Sequence, residues 1–273
     1  MTPRNFLIRG LVAGLVAGLL TFAVAYAVGE PQVDAAIAVE EAGGAAPAVG
    51  SERTHDEGAA AHEHDEAAAT GNHHEEGGTV VSRANQSTWG LLTATLGVSI
   101  ALGGIVGLAS AFAVGRFGRL RPEQTTAVVA GIGFVALALV PFLKYPANPP
   151  AVGDANTIGD RTAWYFALIA ISLVAAAAAV LVGRRVARRG GYRAVLAGIG
   201  VYLVAMIMAG EVLPTVNELG NFPADTLWYF RRATLMTLVT MWATIAVVCG
   251  ALVRQLYVRD EARKLRRELA MNL

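Results

Sequence analysis

Residues 126–150 read TAVVAGIGFVALALVPFLKYPANPP, and how this stretch is read decides the fold. The part from 126 to 143 carries no charge and is long enough for one helical crossing of a bilayer, which takes about 17–25 residues. Pro141 removes a backbone donor and can kink that helix, while Pro146, Pro149 and Pro150 forbid its continuation and favour an extended turn. Between them stands Lys144. An ammonium beside hydrocarbon is costly unless it snorkels to water or finds a partner, so Lys144 is the most informative charged residue in the chain.

Working outward, runs of the same kind occupy about residues 6–28, 88–114, 162–183, 194–213 and 232–253. The chain is 55% apolar and 16% charged. Soluble globular domains carry far more charge, roughly 25%. The expected fold is therefore an all-α integral membrane protein, a bundle of about six transmembrane helices with a disordered His-rich outer loop. The chain then divides into a first transmembrane helix (1–28), that loop (29–87), a five-helix bundle (88–253) and a charged tail (254–273). The lipid bilayer is its first partner, and no feature points to nucleic acid. The one cysteine, Cys249, lies inside the last run, so one chain holds neither a disulfide framework nor a CxxC metal site.

Basic residues give an orientation. With the N-terminus inside, the inner segments collect 16 of the 22 Lys and Arg, among them Arg4, Arg9, Arg116, Arg184 and Arg185. Both termini are then expected in the cytoplasm, with 29–87, the proline loop and 214–231 outside. Trp89, Trp164 with Tyr165, and Trp228 with Tyr229 fall at the outer interface, where aromatic side chains gather. The first run carries Gly10, Gly14 and Gly18 on one face, which suits close helix packing and a retained span. Arg4, Arg9 and Ala25-Tyr26-Ala27 also resemble a signal peptide, although the apolar stretch is longer than an ordinary signal core.

Residues 29–87 have few large apolar side chains and cannot fold alone. All five histidines lie there, among carboxylates. Imidazole mixed with carboxylate suits borderline divalent ions, so His55, Asp56, His62, His64, His73 and His74 are candidate metal ligands for Co²⁺, or for Ni²⁺ or Zn²⁺. At the outer ends of the spans, Lys144, Asn148, Glu211, Asn217, Glu218, Asp225 and Arg231 are candidates for a transport path. Lys144 and Glu211 each fall within about two residues of the outer end of a span, so they are expected to pair.

The proline loop, with Thr157-Ile158-Gly159 and Arg161-Thr162, resembles the CbtA-type family of probable cobalt transporter subunits, particularly its actinobacterial members. Asn221-Phe222-Pro223-Ala224-Asp225-Thr226-Leu227-Trp228, followed by Phe230-Arg231, is similar to that family's last outer loop. The resemblance runs from the first helix to about Leu252. It implies an inner-membrane protein of cobalt uptake for cobalamin synthesis, with a small second transporter subunit carrying histidines of its own. The family is usually described with about five spans, against the six read here.

Several enzyme classes are excluded by the residues themselves. No histidine lies in a span and no P-loop is present, which removes His-ligated intramembrane haem, the HExxH protease pattern and P-loop ATP hydrolysis. A non-enzymatic uptake component is the leading expectation, with the ion as substrate and no permanently bound cofactor. The runner-up is a membrane scaffold or accessory subunit that presents metal to a partner.

Overall fold

Pro3 and Pro122 each stand at the start of a helix, where the missing N–H has no helical acceptor to lose. At Pro122 the Gln124 side chain reaches back to the Arg121 N–H at 3.0 Å, completing the start. Such signals fix the elements of a computed structural model that describes residues 2–44, 81–118, 120–150 and 152–271. Six helices among these residues are long and apolar enough to cross a membrane: α1 Pro3–Ala42, α2 Arg83–Ala113, α3 Pro122–Lys144, α4 Ile158–Val186, α5 Gly191–Val212 and α6 Ala224–Met271. The fold is thus the all-helical, multi-pass membrane architecture expected from hydropathy.

Successive helices run in opposite directions. One end of the bundle carries the proline loop, and the other, here the arginine end, carries Arg4, Arg9, Arg116 and the turn between α4 and α5. In that turn Gly190 has a φ of 127°. An L side chain rarely adopts that conformation, and glycine does so freely.

α1 does not stop near residue 28. It runs 40 residues, about 60 Å at roughly 1.5 Å per residue, so its last turns lie beyond the length a bilayer requires. The sequence there, Glu30 to Ala42, is rich in Ala and Glu, which favour helix once a contact holds it. That contact is Arg83 at the start of α2, which ion-pairs with both Glu30 and Asp34. The helical part therefore extends into both ends of the stretch read as loop. The remainder, 45–80, includes His55, Asp56, His62, His64, His73 and His74 and lies outside the described residues.

Prolines inside helices explain two local irregularities. Pro31 in α1 follows a π-turn at Ala25–Gly29, and Pro141 in α3 follows one at Val135–Leu139. A proline ring collides with the carbonyl four residues earlier, here Ala27 and Leu137, and widening the turn around that carbonyl relieves the clash.

The core is a four-helix unit of α1, α2, α3 and α6. Along α1 and α2 the backbones touch: a Cβ added at Gly10 would strike the Gly103 carbonyl, and one at Gly14 would strike the Ser99 carbonyl. Gly18 lies against Leu96. Small residues are the only ones that permit such an approach, so the face read from Gly10, Gly14 and Gly18 is the seam of α1 with α2. α6 closes the unit through Met241, Trp242 and Ile245, packed with Ala17, Val106, Ala130 and Ala138. Trp242 sits over Gly133, with its ring 6.4 Å from that of Phe134.

α4 and α5 form a hairpin of their own, tied by a 2.7 Å hydrogen bond between the Ser172 and Tyr202 hydroxyls. The hairpin meets α3 near the proline loop, where Leu168, Ala209 and Leu213 enclose Tyr145. Beyond the apolar part of α6 the helix continues to Met271, and Lys264 reaches Asp260 at 3.5 Å. The tail is therefore an exposed helical extension of the last span, as its charge spacing suggests.

Candidate functional site

The proline loop and the connection from α5 to α6 are stitched together at one end of the bundle. Pro214 has no N–H, so the carbonyl of Gly210, four residues earlier, loses its helical partner. The Lys144 ammonium donates to that oxygen at 2.7 Å. A cation at the C-terminal turn of α5 is also favoured by the helix dipole. One residue on, the Tyr145 hydroxyl donates to the Pro214 carbonyl at 2.7 Å.

This geometry corrects the expected Lys144–Glu211 pair. Lys144 is held by backbone, while Glu211 is exposed and takes part in none of the ion pairs among the described residues. The acceptor Lys144 takes is the orphaned carbonyl of Gly210, one residue before Glu211.

Glu218 is the acceptor that joins the two loops. One carboxylate oxygen receives the Asp154 N–H at 2.9 Å and lies 2.9 Å from the Thr157 hydroxyl and 3.4 Å from Arg161 Nη1. Asp154 in turn accepts from the backbone and side-chain nitrogens of Asn156, at 2.8 and 3.0 Å. Arg161 also donates to the Asp154 carbonyl at 3.1 Å. Gly153, with φ of 113°, lies against the guanidinium so closely that a Cβ would collide with it. Glycine is required there by both space and backbone conformation.

The bonds to Glu218 hold its carboxyl below the usual carboxylate range, first through the Asp154 N–H, then through the Thr157 hydroxyl, with Arg161 adding to them. Each of these partners favours the charged form. A carboxyl whose pKa falls on folding stabilises the joined loops above its unfolded value, near 4.5, and that contribution is lost as pH falls through the lower folded value. Amide exchange at Asp154 and Thr157 is therefore expected to stay slow from neutral pH down to about 4.5 after correction for intrinsic rates, and to rise below it. Glu218→Gln should remove the transition.

The second stitch is Arg231 of α6, whose guanidinium donates to the Asn148 side chain at 3.1 Å and to the Ala147 carbonyl at 3.4 Å. Of the residues singled out from sequence, Lys144, Asn148, Glu218 and Arg231 are thus drawn into the contacts that close this end. Asn217 and Asp225 are exposed at its rim. A cleft of about 880 Å³ opens beside the stitches, with Glu40, Pro150, Asp154, Arg161, Glu218 and Asn221 among its walls. Its carboxylates, Glu40, Asp154 and Glu218, come from three separate segments, and Glu218 among them pairs with the cleft's arginine, Arg161. A cation entering the cleft would compete with that arginine for oxygen. Among the described residues no three His, Cys, Asp or Glu side chains gather into one metal cage.

Sequence reasoning missed a third group, Glu30 and Asp34 on Arg83, because all three fell in a stretch read as solvated loop. The available signal was the i,i+4 spacing of the two acids on an Ala-rich segment, opposite a basic residue just before the next span.

These features define a class: a polytopic α-helical membrane protein in which two loops are joined by polar contacts at one end of the bundle. The profile of one family, described as "Probable cobalt transporter subunit (CbtA)", matches residues 3–254, and the chain belongs to that family. No curated protein and no solved structure matches it.

Proposed function

We propose that this protein is the membrane-embedded component of a cobalt uptake system that supplies cobalamin synthesis. The carrying observation is family membership across residues 3–254, which takes in five of the six apolar helices whole and the apolar part of the sixth. In this reading both termini face the cytoplasm and the proline loop faces outward, because the arginine end collects most of the basic residues. His55, His62, His64, His73 and His74, with Asp56, gather the divalent ion outside and raise its concentration at the membrane. Glu218 and its neighbours, with Asn217, Glu211 and Asp225 at the rim, then receive it partly dehydrated. Carboxylate and amide oxygens suit hard to borderline ions. A small partner with histidines of its own works beside it.

Cells that depend on this route test the reading. Expression of the chain with its small partner should raise accumulation of radioactive cobalt. Replacing all five histidines by Ala should cut uptake steeply when cobalt is scarce and little when it is abundant. Imidazole binds metal only when neutral, so capture should also weaken as pH falls through about 6.5. Equal uptake with and without the histidines at every concentration would reduce the segment to a linker.

A further inference from the structure

Beyond Val253, helix α6 runs on to Met271, a further span of about 27 Å at roughly 1.5 Å per residue. From Glu261 to Met271 every residue is exposed. Apolar residues nevertheless recur along this tail at Val258, Ala262, Leu265 and Leu269, in steps of four, three and four. Val258, Leu265 and Leu269 are 58%, 61% and 60% exposed. Alternating steps of four and three keep side chains on one seam of a helix wound around another.

The seam runs back into the apolar part of α6. Successive residues turn about 100° around a helix, which sets Ala243, Val247 and Ala251 within the same arc as the four tail residues. All three are exposed, Val247 by 70%. Met241, Ile245, Cys249 and Val253, which join the core, are buried on the other side of the helix.

The charges beside the seam say what covers it. Glu261 and Glu268 line one flank, and Arg259 and Arg266 line the other. A helix that lies on an anionic membrane presents cations beside its apolar face, whereas this one sets acids along a whole flank. An acidic flank opposite a basic one complements a copy of itself that runs in the same direction: across a parallel pair, Glu261 of each helix faces Arg266 of the other. Antiparallel tails would put acid against acid. Two copies in one membrane share their orientation, so their tails run parallel whichever side they emerge on. A like-charged contact, Arg254 with Arg259, falls at the membrane end, where lipid phosphates are at hand. Two heptads are too short to hold free helices together, but α6 already anchors both in one bilayer and so raises their local concentration.

We propose that this chain pairs with a second copy of itself along α6. Ala243, Val247 and Ala251 meet within the bilayer, and Val258, Ala262, Leu265 and Leu269 close a parallel coiled coil beyond it. The tail from residue 255 lies past the stretch matched to the family, and the pairing does not rest on the cobalt reading.

The test uses the full chain in liposomes, carrying Cys249→Ala and one new cysteine at a time. A mild oxidant should link Val258→Cys and Leu265→Cys chains into covalent dimers. Arg263→Cys and Lys264→Cys point away from the seam and should link at least about fivefold less, since a disulfide needs its two Cα atoms within about 7 Å. With Val258→Cys as reporter, Glu261→Arg should lower the linked fraction about fivefold, because it sets like charges across both symmetric contacts. Adding Arg266→Glu to that variant should restore it. Each of these positions is exposed, so the variants fold whatever the answer. Equal linking at all four positions would mean chance collision, and none at any would mean single chains or tails held on lipid; either result overturns the proposal. So does a Glu261→Arg loss that Arg266→Glu fails to restore, or a linked fraction that Glu261→Arg leaves unchanged or raises.

Discussion

Gly14→Leu should lose at least about 3 kcal/mol of stability and most of the folded protein, whereas Gly97→Leu should be nearly neutral. Both glycines lie in the paired helices α1 and α2, and both changes replace the poorest helix former after proline with a good one. They differ in what a side chain would meet. At Gly14 it would run into backbone, the Ser99 carbonyl and Ile100 Cα, which cannot swing aside as a side chain can. At Gly97 nothing lies within 4 Å. Heating each variant in detergent and measuring the surviving monodisperse fraction by size exclusion checks the contrast. Equal survival would mean that the seam between α1 and α2 does not hold the bundle.

Lys144→Met should destabilise the protein by about 2 kcal/mol, within the range for a hydrogen bond to a charged group. Lys144 is only half-buried, which keeps the loss from being larger. The loss has a specific source: the Gly210 carbonyl that accepts from Lys144 has no N–H at Pro214 to fall back on. Glu211→Gln should change stability little, and the double variant should be additive to within about 0.5 kcal/mol, because the two residues share neither a hydrogen bond nor an ion pair. Replacing Pro214 by Ala offers the missing N–H, so Lys144→Met should cost less in that background. Non-additivity between Lys144 and Glu211 would restore the ion pair and remove the carbonyl account.

Much of this architecture was legible in the residues. The six spans follow from runs of hydrocarbon-like side chains, a signal that burial inside the protein cannot mimic over such lengths. Gly10, Gly14 and Gly18 announced a close seam, though not its partner, since spacing on one helix says nothing of the helix opposite. Lys144 was recognisable as needing a counterpart. Its actual acceptor followed from backbone bookkeeping at Pro214, which a search among opposite charges passes over.

The clasp of Glu30 and Asp34 on Arg83 was hidden for a different reason. Its segment has the composition of a solvated loop, and only the tertiary contact with α2 makes it worth folding as helix. Glu218 was visible as an outer carboxylate, but its partners at Asp154, Thr157 and Arg161 lie some 60 residues away and meet it only because α4 and α5 form a hairpin.

That this chain is part of the route by which cobalt crosses the membrane is tested most directly by reconstitution. The purified chain, alone and then with the small partner proposed above, is placed in liposomes, and the entry of radioactive cobalt is followed against protein-free vesicles. Entry should exceed background, saturate with cobalt, and fall when Glu218 is replaced by Gln. Entry no faster than in protein-free vesicles, with the chain folded and the partner present, would contradict a role in the route and leave a membrane scaffold that presents metal to another protein.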